Sequence, residues 1–301
     1  MLSAKIRELA KTAGIDELGF TNATEFCGYP VAGSRRRDPL LSLPEARSII
    51  IAGIYIGGLK LPFWADPLFG RTSRLYLSGY FADVVEPLEP IKSFLTQQGY
   101  RALICESIES ERSILPLKLA AIRAGFGWQG KNSLLVTRKY GTFLALGGII
   151  TNAVLEYNEK AEPNRCGTCK KCQEACPVSA LDHPFVLDKF KCMAFQLQQE
   201  QLSDEARMTA ENRVGDCEIC QEVCPWNKKN LEDSLPTKLT LTFQQEISKW
   251  EKVFWLPDLV NLSEKEYQRI FGPLKTDIPY MVFHRNVSIA LERARKIIKS
   301  E

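Results

Sequence analysis

No run of apolar residues in this chain is long enough to span a bilayer. The longest, around Ile49–Gly58 and Phe143–Ile150, are rich in Ile and Gly and fit buried strands better. An apolar leader is lacking too. The start, M-L-S-A-K-I-R-E-L-A-K, sets Lys5, Arg7 and Glu8 into an apolar spacing, which reads as an amphipathic helix and not as a signal peptide. Both absences point to the cytoplasm, with no membrane contact. An excess of charge of one sign is also missing. With 39 Lys and Arg against 36 Asp and Glu, the formal charge is only +3 and gives no case for nucleic-acid binding. The balance of 45% hydrophobic and 25% charged residues is that of a globular chain, and 301 residues suffice for one large domain or two ordinary ones.

What the chain does have is ten cysteines. Without a secretory signal, disulfides are a poor explanation, and the spacing suits metal. The first motif is C-G-T-C-K-K-C-Q-E-A-C-P, with Cys166, Cys169, Cys172, Cys176 and Pro177. This is the C-x2-C-x2-C-x3-C-P run of bacterial ferredoxins, in which three close thiolates hold one [4Fe–4S] cube and the fourth ligates the other. The second motif, C-E-I-C-Q-E-V-C-P-W, supplies Cys217, Cys220 and Cys224 and is one cysteine short; Cys192 can fill the gap. The swapping rule assigns Cys166, Cys169, Cys172 and Cys224 to one cluster, and Cys176, Cys192, Cys217 and Cys220 to the other. A zinc site would use two C-x2-C pairs, but it would not explain two C-x3-C-P runs or eight ligands. Two clusters with four thiolates each move the net charge from +3 to about −1. Cys27 and Cys105 stand apart and read as buried, unliganded thiols.

Ahead of the cysteines, helical and strand patterns alternate. Residues 1–20 read as a helix leading into a strand, Leu43–Ile56 as a buried strand, and Val84–Gln98 as a helix with Pro87 and Pro90 near its start. Tyr100–Glu106 reads as a strand, Leu115–Ala124 as a helix, and Ser133–Thr137 and Thr142–Ile150 as strands. The expected class is α+β: a mixed α/β domain over 1–157, a ferredoxin-like double [4Fe–4S] domain over 158–230, and a helical segment over 231–301 ending in a basic helix. The stretch G-F-G-W-Q-G-K-N (125–132) matches both G-x-G-x-x-G and G-x-x-x-x-G-K. Both patterns need a strand before and a helix after; here a helical segment precedes and S-L-L-V-T follows. A glycine-rich turn, or a turn bringing backbone close to a bulky ligand, remains.

With these motifs in place, the chain resembles the epoxyqueuosine reductase family. The matching stretches are L-P-E-A-R-S-I-I-I (43–51), S-R-L-Y-L (73–77), R-A-G-F-G-W-Q-G-K-N-S-L-L (123–135), Y-G-T-F (140–143), the whole cysteine block with K-C-M-A-F at Cys192, and H-R-N-V-S-I-A-L (284–291). The resemblance implies a corrinoid-binding reductase domain related to that of reductive dehalogenases, joined to a two-cluster module. It implies cobalamin beside the two [4Fe–4S] clusters, an external electron donor of the ferredoxin or flavodoxin kind, and epoxyqueuosine in tRNA, or a related small substrate, as what is reduced. A monomer is expected. An electron-transfer protein, or a reductive activator of another corrinoid protein, is the competing function. By the same resemblance, Arg74, Tyr76, Lys131, Asn132, Ser133 and Tyr140 would contact the corrinoid. Glu106 stands where the family has a catalytic Asp, and Tyr80 is a second candidate proton donor. The chain departs from the family at Ser78–Ala82, where Gly-Arg-Asp-Tyr-His is usual, and it ends at Glu301, before the helical repeats of many members. Only His183 and His284 are present and no D-x-H-x-x-G motif occurs, so a histidine below the cobalt is not expected.

Overall fold

The computed structural model describes residues 2–27, 37–60, 64–81, 84–106, 112–157, 162–233, 235–274 and 278–300. The chain forms two compact units, each discontinuous in sequence. The first comprises 1–55, 82–130 and 134–167; the second comprises 56–81, 131–133 and 168–301.

The first unit is built on a sheet of four strands: β1 (Glu17–Asn22), β2 (Ser48–Tyr55), β3 (Ala102–Glu106) and, after a short hairpin of β4 (Trp128–Gln129) and β5 (Leu135–Val136), β6 (Leu144–Thr151). Their order is β1-β2-β6-β3, and every pairing is antiparallel. The unbroken apolar run of β2 follows from burial on both faces. Ile49 and Ile51 face a core with Leu117, Ala120 and Ala121 of the helix Leu117–Arg123. Ile50 and Ala52 face another with Ile6 and Ala10 of the helix Leu2–Thr12, and Ile91 and Leu95 of the helix Glu89–Gln97. A strand covered on one side only would alternate apolar with polar. In both of the latter helices the buried pair is four residues apart, the spacing of one helical face. Burial of each such Ile or Leu contributes about 1.5–3 kcal/mol.

Two expectations shift in detail. The helix expected over Val84–Gln98 begins as a 3-10 turn at Glu86–Leu88, and the α-helix starts one residue before Pro90, where a missing N–H costs nothing. The strand expected over Ser133–Thr137 is only Leu135–Val136. In that hairpin a Cβ on Gly127 would collide with the Val136 carbonyl, so close backbone packing accounts for this glycine.

The second unit is mostly helical. Its longer helices are Arg74–Phe81, Lys238–Val253, Glu264–Phe271 and Tyr280–Ser300. Ser263 and Glu266 form a reciprocal capping box at the third of these. Trp250, Phe254, Tyr267, Phe271 and Phe283 make a chain of ring contacts that joins the last three. No described helix is long and apolar enough to cross a membrane.

Candidate iron–sulfur centre

The two cysteine motifs fold alike. Lys171–Glu174 and Ile219–Glu222 are single helical turns that carry Cys172 and Cys220 and pack against each other. In the first, the N–H groups of Gln173 and Glu174 donate to the Lys170 carbonyl at 2.9 and 3.0 Å; in the second, those of Gln221 and Glu222 donate to the Glu218 carbonyl at 2.8 and 3.0 Å. Each turn closes with a cysteine N–H on a glutamine carbonyl, Cys176 on Gln173 at 3.2 Å and Cys224 on Gln221 at 3.1 Å. A proline follows each closing cysteine and ends the turn. The C-x2-C-x3-C-P spacing thus produces the same backbone twice.

Cys192 caps the short helix Met193–Gln196 and reaches this region from outside both motifs. Cys176, Cys192 and Cys217 pack on one apolar cluster of Val178, Ala180, Met193, Leu197, Ala206 and Ala210. Burial pushes the Cys192 thiol up, the Cys217 thiol to about 12 and the Cys220 thiol well above the usual range. After burial, Cys220 is raised further by Cys217, Cys192, Cys172 and Cys176. Thiolates gathered in an apolar shell need a cationic core to stabilise them, which is what an iron–sulfur cube supplies. The Ala180 N–H donates to the Cys176 Sγ at 3.3 Å, a bond that favours the thiolate form. The donor set and its shell therefore fit a [4Fe–4S] cluster. All ten cysteines are free of disulfides.

The second motif is gripped by the segment that opens the helix Arg74–Phe81. Arg71 pairs with Glu222, Ser73 donates to Asp216, and Arg74 pairs with Glu218. Arg74 and Glu218 are both buried; the Arg74 N–H also donates to Glu218 at 2.9 Å, and its Nε to the Gly57 carbonyl at 3.0 Å. Burial raises Glu218 to about 7 against the pull of Arg74, and Asp216 to about 6 against the Ser73 and Cys217 hydrogen bonds. Both guanidinium groups also lie over the Trp64 ring. A Cβ on Gly215 would run into the Tyr76 ring, so that ring lies flush against the loop.

The last long helix braces the same region. The buried Asn286 Nδ2 donates to the carbonyls of Leu197 and Val214 at 2.7 and 2.9 Å. Arg285 reaches the carbonyls of Gln199 and Glu200 at 2.7 and 2.6 Å. Asn286 is thus a structural member of the site that sequence reasoning passed over; its signal was an asparagine on an apolar helical face.

The residues assigned to the corrinoid are placed as follows. Lys131 Nζ donates to the Cys169 carbonyl at 2.8 Å, and Asn132 Nδ2 to the Cys220 carbonyl at 3.4 Å. Ser133 has a left-handed backbone, φ 65°. Arg74 and Tyr76 belong to the grip on the second motif. The Tyr140 hydroxyl donates to the Asp16 carbonyl at 3.0 Å in the first unit, where burial raises its pKa. Glu106 ends β3 opposite Gly147, half-buried, with its N–H on the Arg112 carbonyl at 3.2 Å. Tyr80 lies in the helix Arg74–Phe81, and its side chain is outside the described residues. Cys166 lies at the end of the first unit, its N–H on Asn164 at 2.9 Å. Cys105 is buried, its thiol pushed up to about 12, as expected of an inert core cysteine. Cys27 is exposed, which corrects the expectation of a buried thiol.

Comparison with known proteins agrees with this centre. A family model described as a 4Fe-4S double cluster binding domain matches residues 165–227. The motif and its doubled turns define a double-cluster iron–sulfur protein. The chain is 32% identical over 247 residues to an epoxyqueuosine reductase of Synechococcus sp. (strain CC9605), covering 75% of this chain and 71% of that one. It is 35% identical over 173 residues to the epoxyqueuosine reductase of Synechocystis sp., covering 55% of this chain but only 56% of that relative's length. A solved epoxyqueuosine reductase bound to an epoxyqueuosine-modified tRNA stem loop superposes with a TM-score of 0.80 at 25% identity, covering 98% of this chain and 82% of that one. A catabolic reductive dehalogenase shares the fold at a TM-score of 0.50 and 17% identity, over 82% of this chain and 36% of that one. The chain belongs to the epoxyqueuosine reductase family.

Proposed function

We propose that this protein reduces epoxyqueuosine in tRNA, using two [4Fe–4S] clusters and, as the family likeness implies, cobalamin. The observation that carries the reading is the eight-cysteine set, with Cys192 brought to Cys176, Cys217 and Cys220 from outside both motifs. A bare ferredoxin has no need of the separate four-stranded unit, which disfavours a carrier without chemistry of its own.

In this reading Cys166, Cys169, Cys172 and Cys224 hold one cluster, and Cys176, Cys192, Cys217 and Cys220 the other. When bound, the clusters supply electrons one at a time from an external donor of the ferredoxin or flavodoxin kind. The chain's own residues hold the thiolates, exclude water from the apolar shell and supply the proton. Glu106, at the end of β3, is the proposed proton donor to the leaving oxygen, and Tyr80 is the second candidate. Of the six residues that the family likeness assigns to the corrinoid, four have protein partners here: Arg74 pairs with Glu218, Lys131 and Asn132 donate to cysteine carbonyls, and Tyr140 donates to Asp16.

The test is anaerobic reconstitution followed by addition of cob(II)alamin and epoxyqueuosine-containing tRNA. Appearance of queuosine in the digested nucleosides is expected. Bound cobalamin without conversion would point to another substrate, and no cobalamin binding at micromolar concentration would remove the corrinoid from the reading.

A further inference from the structure

The G-K-N turn matches two phosphate-binding patterns, yet what it touches is the backbone of both cysteine loops. The Lys131 ammonium sits 2.8 Å from the Cys169 carbonyl, and the Asn132 amide 3.4 Å from the Cys220 carbonyl. The Phe185 N–H donates to the Lys131 carbonyl at 3.0 Å and holds the turn from its other side. Asn132 is only 5% exposed. Cys169 and Cys220 belong to different motifs and, by the swapping rule, to different clusters. One two-residue turn therefore meets a ligand residue of each cluster, with a cation on one and a neutral amide on the other.

The loops themselves also differ in charge, and the second has the buried Arg213 acting on Cys217. Where the first loop has Lys170 and Lys171 ahead of Cys172, the second has Glu218 and Ile219 ahead of Cys220. Lys170 and Lys171 are exposed, so water and salt screen them. Glu218 is buried and paired with Arg74. Lys131 is half-buried and pinned to one point beside a ligand residue, where a charge acts at closer to full strength.

We propose that Lys131 raises the reduction potential of one cluster by holding a positive charge beside the cluster ligated by Cys169 and Cys172. The redox step is the transfer of one electron from a low-potential donor to a [4Fe–4S]²⁺ cluster, giving [4Fe–4S]⁺ with all four thiolates retained. The reduced cluster is more negative by one charge, and a fixed cation beside it stabilises that state over the oxidised one. The cluster near Lys131 is then easier to reduce with the lysine charge beside it than without it. This inference rests on the two-cluster reading.

The experiment is an EPR-monitored titration of the reconstituted holoprotein with dithionite, for wild type and the variants Lys131→Met, Lys131→Gln and Lys131→Arg. Lys131→Gln retains a donor for the Cys169 carbonyl but removes the charge. Lys131→Met and Lys131→Gln are expected to lower one midpoint, cutting the reduced-to-oxidised ratio at fixed potential about tenfold, or about 59 mV for a one-electron couple. The other midpoint should stay within a small part of that, and Lys131→Arg should keep both. Unchanged midpoints in Lys131→Gln, equal shifts of both clusters, or an Arg variant that behaves like Met would overturn the proposal. So would loss of half the iron in the Met and Gln variants alike, because Lys131 would then be a brace and not a charge. A wild type that holds a single cluster would remove the two-cluster reading and this inference with it.

Discussion

The two cysteine loops have the same backbone and different surroundings. Both turn on one helical turn, close on a glutamine carbonyl and end at proline. The second is embedded: Glu218 lies buried against Arg74, with Asp216 and Glu222 held by Ser73 and Arg71. The first keeps its Lys170 and Lys171 exposed and is touched by Lys131 at the Cys169 carbonyl. Ligand spacing sets the geometry of an iron–sulfur loop, and distant residues set its rigidity and its field. The second loop should therefore depend on remote side chains far more than the first.

The largest way to break this comparison is through a ligand. Cys192→Ser should remove one cluster and leave about four irons per chain, as counted by iron and sulfide analysis. Cys27→Ser, at an exposed thiol outside the motifs, should leave the count unchanged. Next comes the proton donor. Glu106→Gln should slow epoxyqueuosine turnover about 10²–10⁴-fold, the usual weight of a general acid, while iron content and cluster spectra stay as in wild type. Normal turnover would return Glu106 to the role of a strand-end carboxylate. Arg74→Met strands a buried carboxylate beside the second loop and should cost about 3–5 kcal/mol of stability, read as a fall in Tm and a loss of the second cluster before the first. The Arg74→Met/Glu218→Leu pair should recover most of that loss, since both charges are then gone. The smallest effect is expected at Asn286→Ala, which leaves two buried carbonyls without their donor and should cost about 1–3 kcal/mol in denaturant unfolding.

What could be read from the sequence was whatever is local. The cysteine spacing is local, and so is the apolar run of β2, because both are decided within a few residues. Helix positions in the first unit were legible for the same reason, apart from the 3-10 start forced by Pro87 and Pro90. The grip on the second motif was not legible, since Arg74 and Glu218 stand 144 residues apart and Glu218 alone reads as a surface charge. The partner of Lys131 was not legible either, since it is a backbone carbonyl 38 residues on. The discontinuous units were hidden for a related reason. Residues 56–81 and 131–133 carry no compositional mark that ties them to the cysteine-rich part, only tertiary partners within it.

The central claim is that eight cysteines of this chain hold two cubes, with Cys192 completing the second. It is tested most directly by iron and acid-labile sulfide analysis of anaerobically reconstituted wild-type protein beside Cys192→Ser. The account predicts about eight irons and eight sulfides in the wild type and about four of each in the variant. Equal counts in the two proteins, or a single cluster in the wild type, would contradict it.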